Sequence, residues 1–303
     1  MRKPRGLVRW RRCAPMKPEL RWLVPAVALT GLALLWAARF VPLRTPERTL
    51  VPRLLLNAAV SALAFATSAL LVQPTVAAAM GWSAERGVGL VRLLALPPPL
   101  AAAFAFLSLD LSFYYWHRAN HRLPFLWRFH NVHHIDPDLD VSTSFRFHFG
   151  EVGLSAAFRL VQITLIGVSA WTYAVYELAF HLNTIFHHSN LRLPIRLERL
   201  LNSLLVTPRM HGIHHSQVRA ETESNYSVVL PWWDRLHRTL RLNVPQSRIE
   251  IGVPAYSRAE DNTLWQALSL PFRRQREYWR RPDGSAVERD PAVLGPRPDR
   301  LEE

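Results

Sequence analysis

Four long runs without a charged residue decide most of what this chain can become: residues 22–38, 54–84, 93–109 and 160–176. Several are near the roughly 17 to 25 residues that a helix needs to cross the hydrocarbon core of a bilayer. Lipid offers backbone N–H and C=O groups no partner, so such runs must be helical and satisfy themselves. With 303 residues and 49% hydrophobic content, the chain is long enough for one large soluble core. A soluble core, however, is built from amphipathic spacing, and here the apolar residues lie in blocks. The fold expected is an all-α membrane protein.

The formal net charge of +14 does not point to nucleic acid, because the basic residues sit at the ends and between the apolar blocks. Arg2, Lys3, Arg5, Arg9, Arg11, Arg12 and Lys17, against the single Glu19, place the N-terminus in the cytoplasm by the positive-inside tendency. This stretch is too polar for the n-region of a cleaved signal. The single cysteine, Cys13, excludes an intramolecular disulfide and supplies no thiolate cluster.

These features divide the chain into a basic cytoplasmic arm (1–21), a membrane-embedded domain (22–272) and a weakly ordered tail rich in Pro, Arg and Glu (273–303). The three prolines at 97–99 break the chain, after which Ala101–Trp116 runs as one helix into His117 and His121. Pro124 precedes a short helix carrying Trp127–His134, which Asp136-Pro137 ends, and Thr207-Pro208 starts another. Residues 149–180 are too few for two full crossings, so a short or re-entrant hairpin turning near Gly167 is expected. Three full crossings from a cytoplasmic N-terminus would put His117 outside, so either the 54–84 run, interrupted at Gln73-Pro74 and Gly81, includes a re-entrant portion or one block does not cross. The architecture expected is thus transmembrane and re-entrant helical hairpins supporting a cytosolic, histidine-rich helical cap.

Twelve of the thirteen histidines fall between His117 and His215, ten of them as H117-x3-H121, H130-x2-H133-H134, H187-H188 and H211-x2-H214-H215, with His148 and His181 between. On a helix, positions i, i+3 and i+4 share a face, so each H-x-x-H-H triplet aims three imidazoles at one point. One histidine on a helix is ordinarily a solvated or hydrogen-bonded residue, but this repeated spacing has no packing explanation. Eight or more neutral nitrogens without thiolates exceed the four ligands of structural zinc and point to redox iron. A zinc metalloprotease is excluded, since the general-base glutamate after the first histidine is replaced by Arg118.

The segments D110-L-S-F-Y-Y-W-H-R-A-N-H121, L126-W-R-F-H-N-V-H-H134, T207-P-R-M-H-G-I-H-H215 and N225-Y-S-V-V-L-P-W-W-D234 resemble those of the fatty acid hydroxylase, or sterol desaturase, superfamily over about 50–272. The resemblance implies a di-iron, non-haem site ligated by His117, His121, His130, His133, His134, His211, His214 and His215. His188 is the family-like ninth ligand, and His181, on its helix face, the tenth candidate. His148, in R146-F-H-F-G-E151, fits an inner or an outer position equally. Where relatives carry Gly after Asn-Tyr and Phe-Gly after Trp-Asp-Arg-Leu, this chain has Ser227, His237 and Arg238, and His237 is expected to be a packing or surface residue. Asp110, Asn225 and Asp234 are candidates for orienting the imidazoles.

The implied activity is O2-dependent hydroxylation or desaturation of a C–H bond in a lipid: a sterol, hopanoid, carotenoid, fatty acyl chain or ether lipid. No nucleotide fingerprint or haem-attachment motif is present, so electrons are expected from a separate donor protein docking on the cytoplasmic face. The rival classes are a non-catalytic metal-binding membrane protein and a metal-dependent lipid hydrolase.

Overall fold

The computed structural model describes residues 23–301; the basic arm, Cys13 and the last two residues lie outside the described residues. Among the described residues the fold is helical, with only isolated bridges such as Pro42–Leu191 and no strand. Helix α1 is Leu23–Ala37, α2 Leu50–Thr67, α3 Gln73–Arg86, α4 Leu90–Leu93, α5 Pro98–Arg122, α6 Pro124–His134, α7 Phe149–Ile166, α8 Ala170–His188, α9 Ile195–Leu201 and α10 Pro208–His214. Two stretches, Leu50–Leu93 and Phe149–Ile166, are long and apolar enough to cross a membrane.

The run 54–84 is not interrupted where the sequence suggests. A π-helical turn at Ser68–Val72 joins α2 to α3, and Gly81 lies inside α3. Pro74 has no N–H to give the preceding turn. The backbone absorbs this by widening: the Gln73 N–H reaches back to the Ser68 carbonyl, while Thr75 Oγ1 donates to the Leu71 carbonyl at 2.7 Å.

Two outward arms, α2–α3 and α7, end in tight turns that touch each other. Gly87, Gly89 and Gly167 all have positive φ (66°, 121° and 70°). A Cβ on Gly89 would stand 2.4 Å from the Gly167 Cα, so the turns meet backbone to backbone and tolerate only glycine. From this tip α5 and α8 return to the histidine end, packing with α3 and α7 around Val72, Val76, Leu109, Ile163 and Tyr176. Around the bundle Leu29, Leu32, Trp36, Leu70, Leu93, Leu165 and Trp171 are exposed.

At the histidine end, buried ion pairs join apolar clusters such as Trp127, Val132, Ile135 and Tyr256. Arg53 of α2 is buried among Asp136, Asp138 and Asp140; its Nη1 lies 2.8 Å from Asp136 Oδ2. Arg146, fully buried, donates to Asn57 Oδ1 at 2.9 Å and to the Val132 carbonyl at 3.0 Å. This lattice fixes the C-terminal end of α6 against α2. Composition suggests a weakly ordered tail, yet residues 273–301 lie packed on this end. Trp279 stacks on Trp127 at 5.8 Å, Arg289 makes two 2.8 Å bonds to buried Glu221, and Leu301 is buried beside Val206 and Met210. The segment is held by ion pairs and isolated aromatic residues, which leave no periodic signal in sequence.

Candidate metal centre

Each histidine box sits on the helix its spacing requires. Helix α5 continues through Trp116 to His117 and His121, and α6 starts at Pro124 and carries His130, His133 and His134. Helix α10 begins at Pro208 after an extended Thr207, though Thr207 makes no side-chain cap bond. The last turn of α8 brings His188.

Nine histidines converge in two groups. His117, His121, His130, His134 and His214 form one; His133, His188, His211 and His215 form the other, with the candidate ligand atoms of each group within 4.8 Å of one another. The groups adjoin, since the rings of His134 and His215 stack at 4.2 Å.

The spacing inside the groups tests whether metal ions fit. Nε2 atoms lie 3.1 Å apart in His117–His214, His188–His211 and His211–His215, and 3.2 Å apart in His133–His188. Ligand nitrogens about 2.1 Å from one ion, at tetrahedral or octahedral angles, stand about 3.0 to 3.4 Å apart. The Nε2 atoms of His121, His130 and His134 are buried and have no hydrogen-bond partner, a costly arrangement unless a cation takes their lone pairs. Burial first, and then the charge the neighbouring histidines would carry, pushes His133, His134, His211 and His215 well below the usual imidazole range. Burial takes His214 down to about 3 against the opposing Ser224 carbonyl. These five rings are therefore held neutral, the state that binds metal. The donor set fits two ions held by nitrogen.

Four rings have their second nitrogen fixed. His117 Nδ1 meets the Tyr226 carbonyl at 2.7 Å, His214 Nδ1 the Ser224 carbonyl at 2.7 Å, and His188 Nδ1 the Thr184 carbonyl at 2.8 Å. His130 Nδ1 meets Glu151 Oε1 at 2.8 Å. In each, Nδ1–H is the donor and Nε2 stays free for a metal.

Asp110, Asn225 and Asp234 touch no imidazole and act one step further back. Asp110 Oδ2 accepts from the Leu230 N–H at 3.1 Å and the Trp233 indole at 2.8 Å; Asp234 accepts from the N–H groups of Tyr226 and Ser227 at 2.9 and 2.8 Å. Asn225, at φ 55°, bonds Met210 and Arg241. Together they shape the loop whose carbonyls orient His117 and His214.

The other histidines have different surroundings. His181 lies outside both groups: two turns before His188, its Nε2 faces Glu177 at 3.8 Å, with its ring beside Phe145 and Phe180. His148 caps α7 by accepting from the Gly150 N–H at 2.9 Å. His187 packs on His211, their rings 4.1 Å apart, beside Asn183. His237 stacks on Tyr114 at 4.7 Å and bonds the Tyr115 hydroxyl at 2.6 Å. Sequence reasoning missed Glu151 as a partner of His130; its signal was a carboxylate in the first turn of a largely apolar helix.

A cavity of about 290 Å³ lies against this centre, between α2, α5, α7 and α8. Glu151 and Phe147 form its near end, and Phe147 stacks on His133 at 4.5 Å. Phe65, Phe113, Trp116 and Phe180 line its flanks.

The fatty acid hydroxylase family model matches residues 102–239, which hold all nine of these histidines. This match and the relatives below support the resemblance of that segment to the fatty acid hydroxylase/sterol desaturase superfamily. Among curated proteins it is similar to ornithine lipid hydroxylase OlsE of Rhizobium tropici, 32% identical over 48% of this chain and 43% of that protein. Human alkylglycerol monooxygenase is 33% identical over 49% of this chain and 33% of its own length. Human cholesterol 25-hydroxylase is 26% identical over 46% and 50%. The chain therefore spans half or less of the length of each of these relatives. No solved structure matches.

Proposed function

We propose that this protein is an integral-membrane, non-haem di-iron enzyme that uses O2 and external electrons to hydroxylate or desaturate a lipid C–H bond. The observation that carries this reading is the pair of adjoining histidine groups, with Nε2 atoms 3.1–3.2 Å apart, at the end of a cavity between apolar helices. The names of these three relatives, two hydroxylases and a monooxygenase, support the reaction class.

In this reading His117, His121, His130, His134 and His214 hold one iron, and His133, His188, His211 and His215 the other. Bound iron would supply O2 activation and the oxidising power to remove hydrogen from an unactivated carbon. The protein's residues do the rest. Glu151 and the carbonyls of Thr184, Ser224 and Tyr226 keep their partner rings in the Nδ1–H tautomer and aim Nε2 inward. Phe147 and Trp127 close the centre with aromatic surface, which excludes water and protects the oxidant from side reactions.

The exposed apolar side chains around the bundle suit lipid contact, and α2–α3 with α7 form hairpin arms whose glycine tips lie in or across the bilayer. The histidine cap and tail then share the cytoplasmic face, where a separate donor protein delivers electrons. The division into a basic arm (1–21), membrane domain (22–272) and tail (273–303) is part of the same proposal. Its test is oxygen uptake by the purified, iron-loaded protein with a reductant and a lipid extract, with lipid profiles compared before and after. Lipid-dependent O2 consumption and a product heavier by one oxygen, or lighter by two hydrogens, is expected. Metal binding without any O2 consumption would favour the non-catalytic alternative.

A further inference from the structure

The far end of the cavity is polar although it lies midway along the bundle. Arg159 of α7 and Glu177 of α8 face each other there, with Nη2 to Oε1 at 3.0 Å and side-chain exposures of 8% and 19%. The Arg159 Nη1 donates to Gln162 Oε1 at 2.9 Å, and its guanidinium lies over the Phe113 ring at 5.2 Å. Both Arg159 and Glu177 line the cavity, together with Tyr173 and His181. The pair touches none of the nine centre histidines, so the metal site does not explain it. A buried pair between apolar helices is costly to keep, and such groups in membrane segments ordinarily face a ligand or its path.

We propose that Arg159 and Glu177 form the recognition site for a hydroxyl group on the lipid substrate, seated away from the carbon that is oxidised. The inference rests on the lipid-oxidising reading of the centre and deepens it. The chemistry selects a neutral donor. The positive charge of Arg159 is already met by Glu177 and its second nitrogen by Gln162, so a carboxylate would place a second anion beside Glu177 with one cation to share. Glu177 Oε1 meets Arg159 Nη2 at 3.0 Å, and a carboxylate oxygen has a second lone pair, so the pair keeps acceptor capacity for an O–H donor in the cavity. Distance fixes the register. Glu151 and Arg159 lie on one face of α7, eight residues and so about 12 Å apart. A lipid alcohol whose hydroxyl meets Glu177 therefore lays a carbon well removed from that hydroxyl against Glu151 and Phe147, the cavity residues that contact His130 and His133.

The test is thermal stabilisation of the full-length protein in detergent by octadecanol, octadecane and octadecanoate, for the native chain, Glu177→Gln, and the double variant Arg159→Leu with Glu177→Leu. The double variant removes both charges at once and avoids leaving one unpaired. Native protein is expected to bind the alcohol about tenfold tighter than the alkane or the acid. The preference should shrink in Glu177→Gln and vanish in the double variant, while metal content stays native. Equal binding of alcohol and alkane, tightest binding of the acid, or an undiminished preference in the double variant would each overturn the proposal. Oxygen uptake measured on the same preparation reports separately on the lipid-oxidising reading, so the two can fail independently.

Discussion

Glu151 offers the sharpest perturbation of the centre that leaves every histidine in place. Its side chain, 8% exposed, sits in the first turn of α7 and holds His130 Nδ1 at 2.8 Å. It also lies 3.4 Å from Asn120 Nδ2. Replacing it with glutamine keeps an acceptor of the same reach but removes the charge that strengthens the His130 imidazole as a donor to metal. Alanine removes the acceptor altogether and leaves the buried His130 N–H without a partner. Loss of such outer partners costs about 10- to 100-fold in metal affinity, so Glu151→Gln should cost about 1.4 kcal/mol and Glu151→Ala about 2.8 kcal/mol. Competition for iron against a chelator of known affinity measures this, with helical content checked by circular dichroism. If Glu151→Ala binds iron within twofold of native protein, the carboxylate does not tune the centre and the assignment of His130 as a ligand loses its physical basis.

His214→Ala should abolish lipid oxidation while the protein stays folded, whereas His237→Ala, which removes a ring that stacks on Tyr114 and bonds Tyr115 but lies outside both histidine groups, should retain most activity; equal loss with reduced metal in both would refute the ligand set. Asp110→Ala leaves the Leu230 N–H and the Trp233 indole without an acceptor and should destabilise the fold by about 2 to 4 kcal/mol, read from the denaturant midpoint in detergent; an unchanged midpoint would contradict this. Arg289→Ala strands buried Glu221 and should release residues 273–301 to limited proteolysis; unchanged cleavage would show that the tail is held by other contacts. Cysteines introduced in the 218–224 loop should react with reagents from the cytoplasmic side, and labelling only from outside would invert the proposed topology.

Much of the histidine end was legible because one rule, three rings at i, i+3 and i+4, acts within single helices. His130, His133 and His134 needed only the knowledge that 124–134 is helical, and Pro124 and Asp136-Pro137 mark its ends. The partition of nine rings into groups of five and four was not legible, because it depends on how α5, α6, α8 and α10 meet. His181 shows the limit of helix-face reasoning. It shares a face with His188, but two turns of rise carry it into the cavity wall beside Glu177. The break expected at Gln73-Pro74 failed for a local reason, since a single π turn frees the carbonyl that proline cannot serve. Arg53 and its aspartates, Glu151, and the Arg159–Glu177 pair are contacts between residues distant in the chain, each an ordinary charge when read alone.

The central claim is that the nine convergent histidines form two metal sites in one chain. Metal analysis of protein purified under reducing conditions measures this directly, with native protein compared against His211→Ala, which alters only the second group, and His121→Ala, which alters only the first. Two transition-metal ions per native chain are predicted, with loss concentrated in one of the two sites for each variant. A single tightly bound zinc in the native protein, unchanged by one of the two substitutions, would contradict the account.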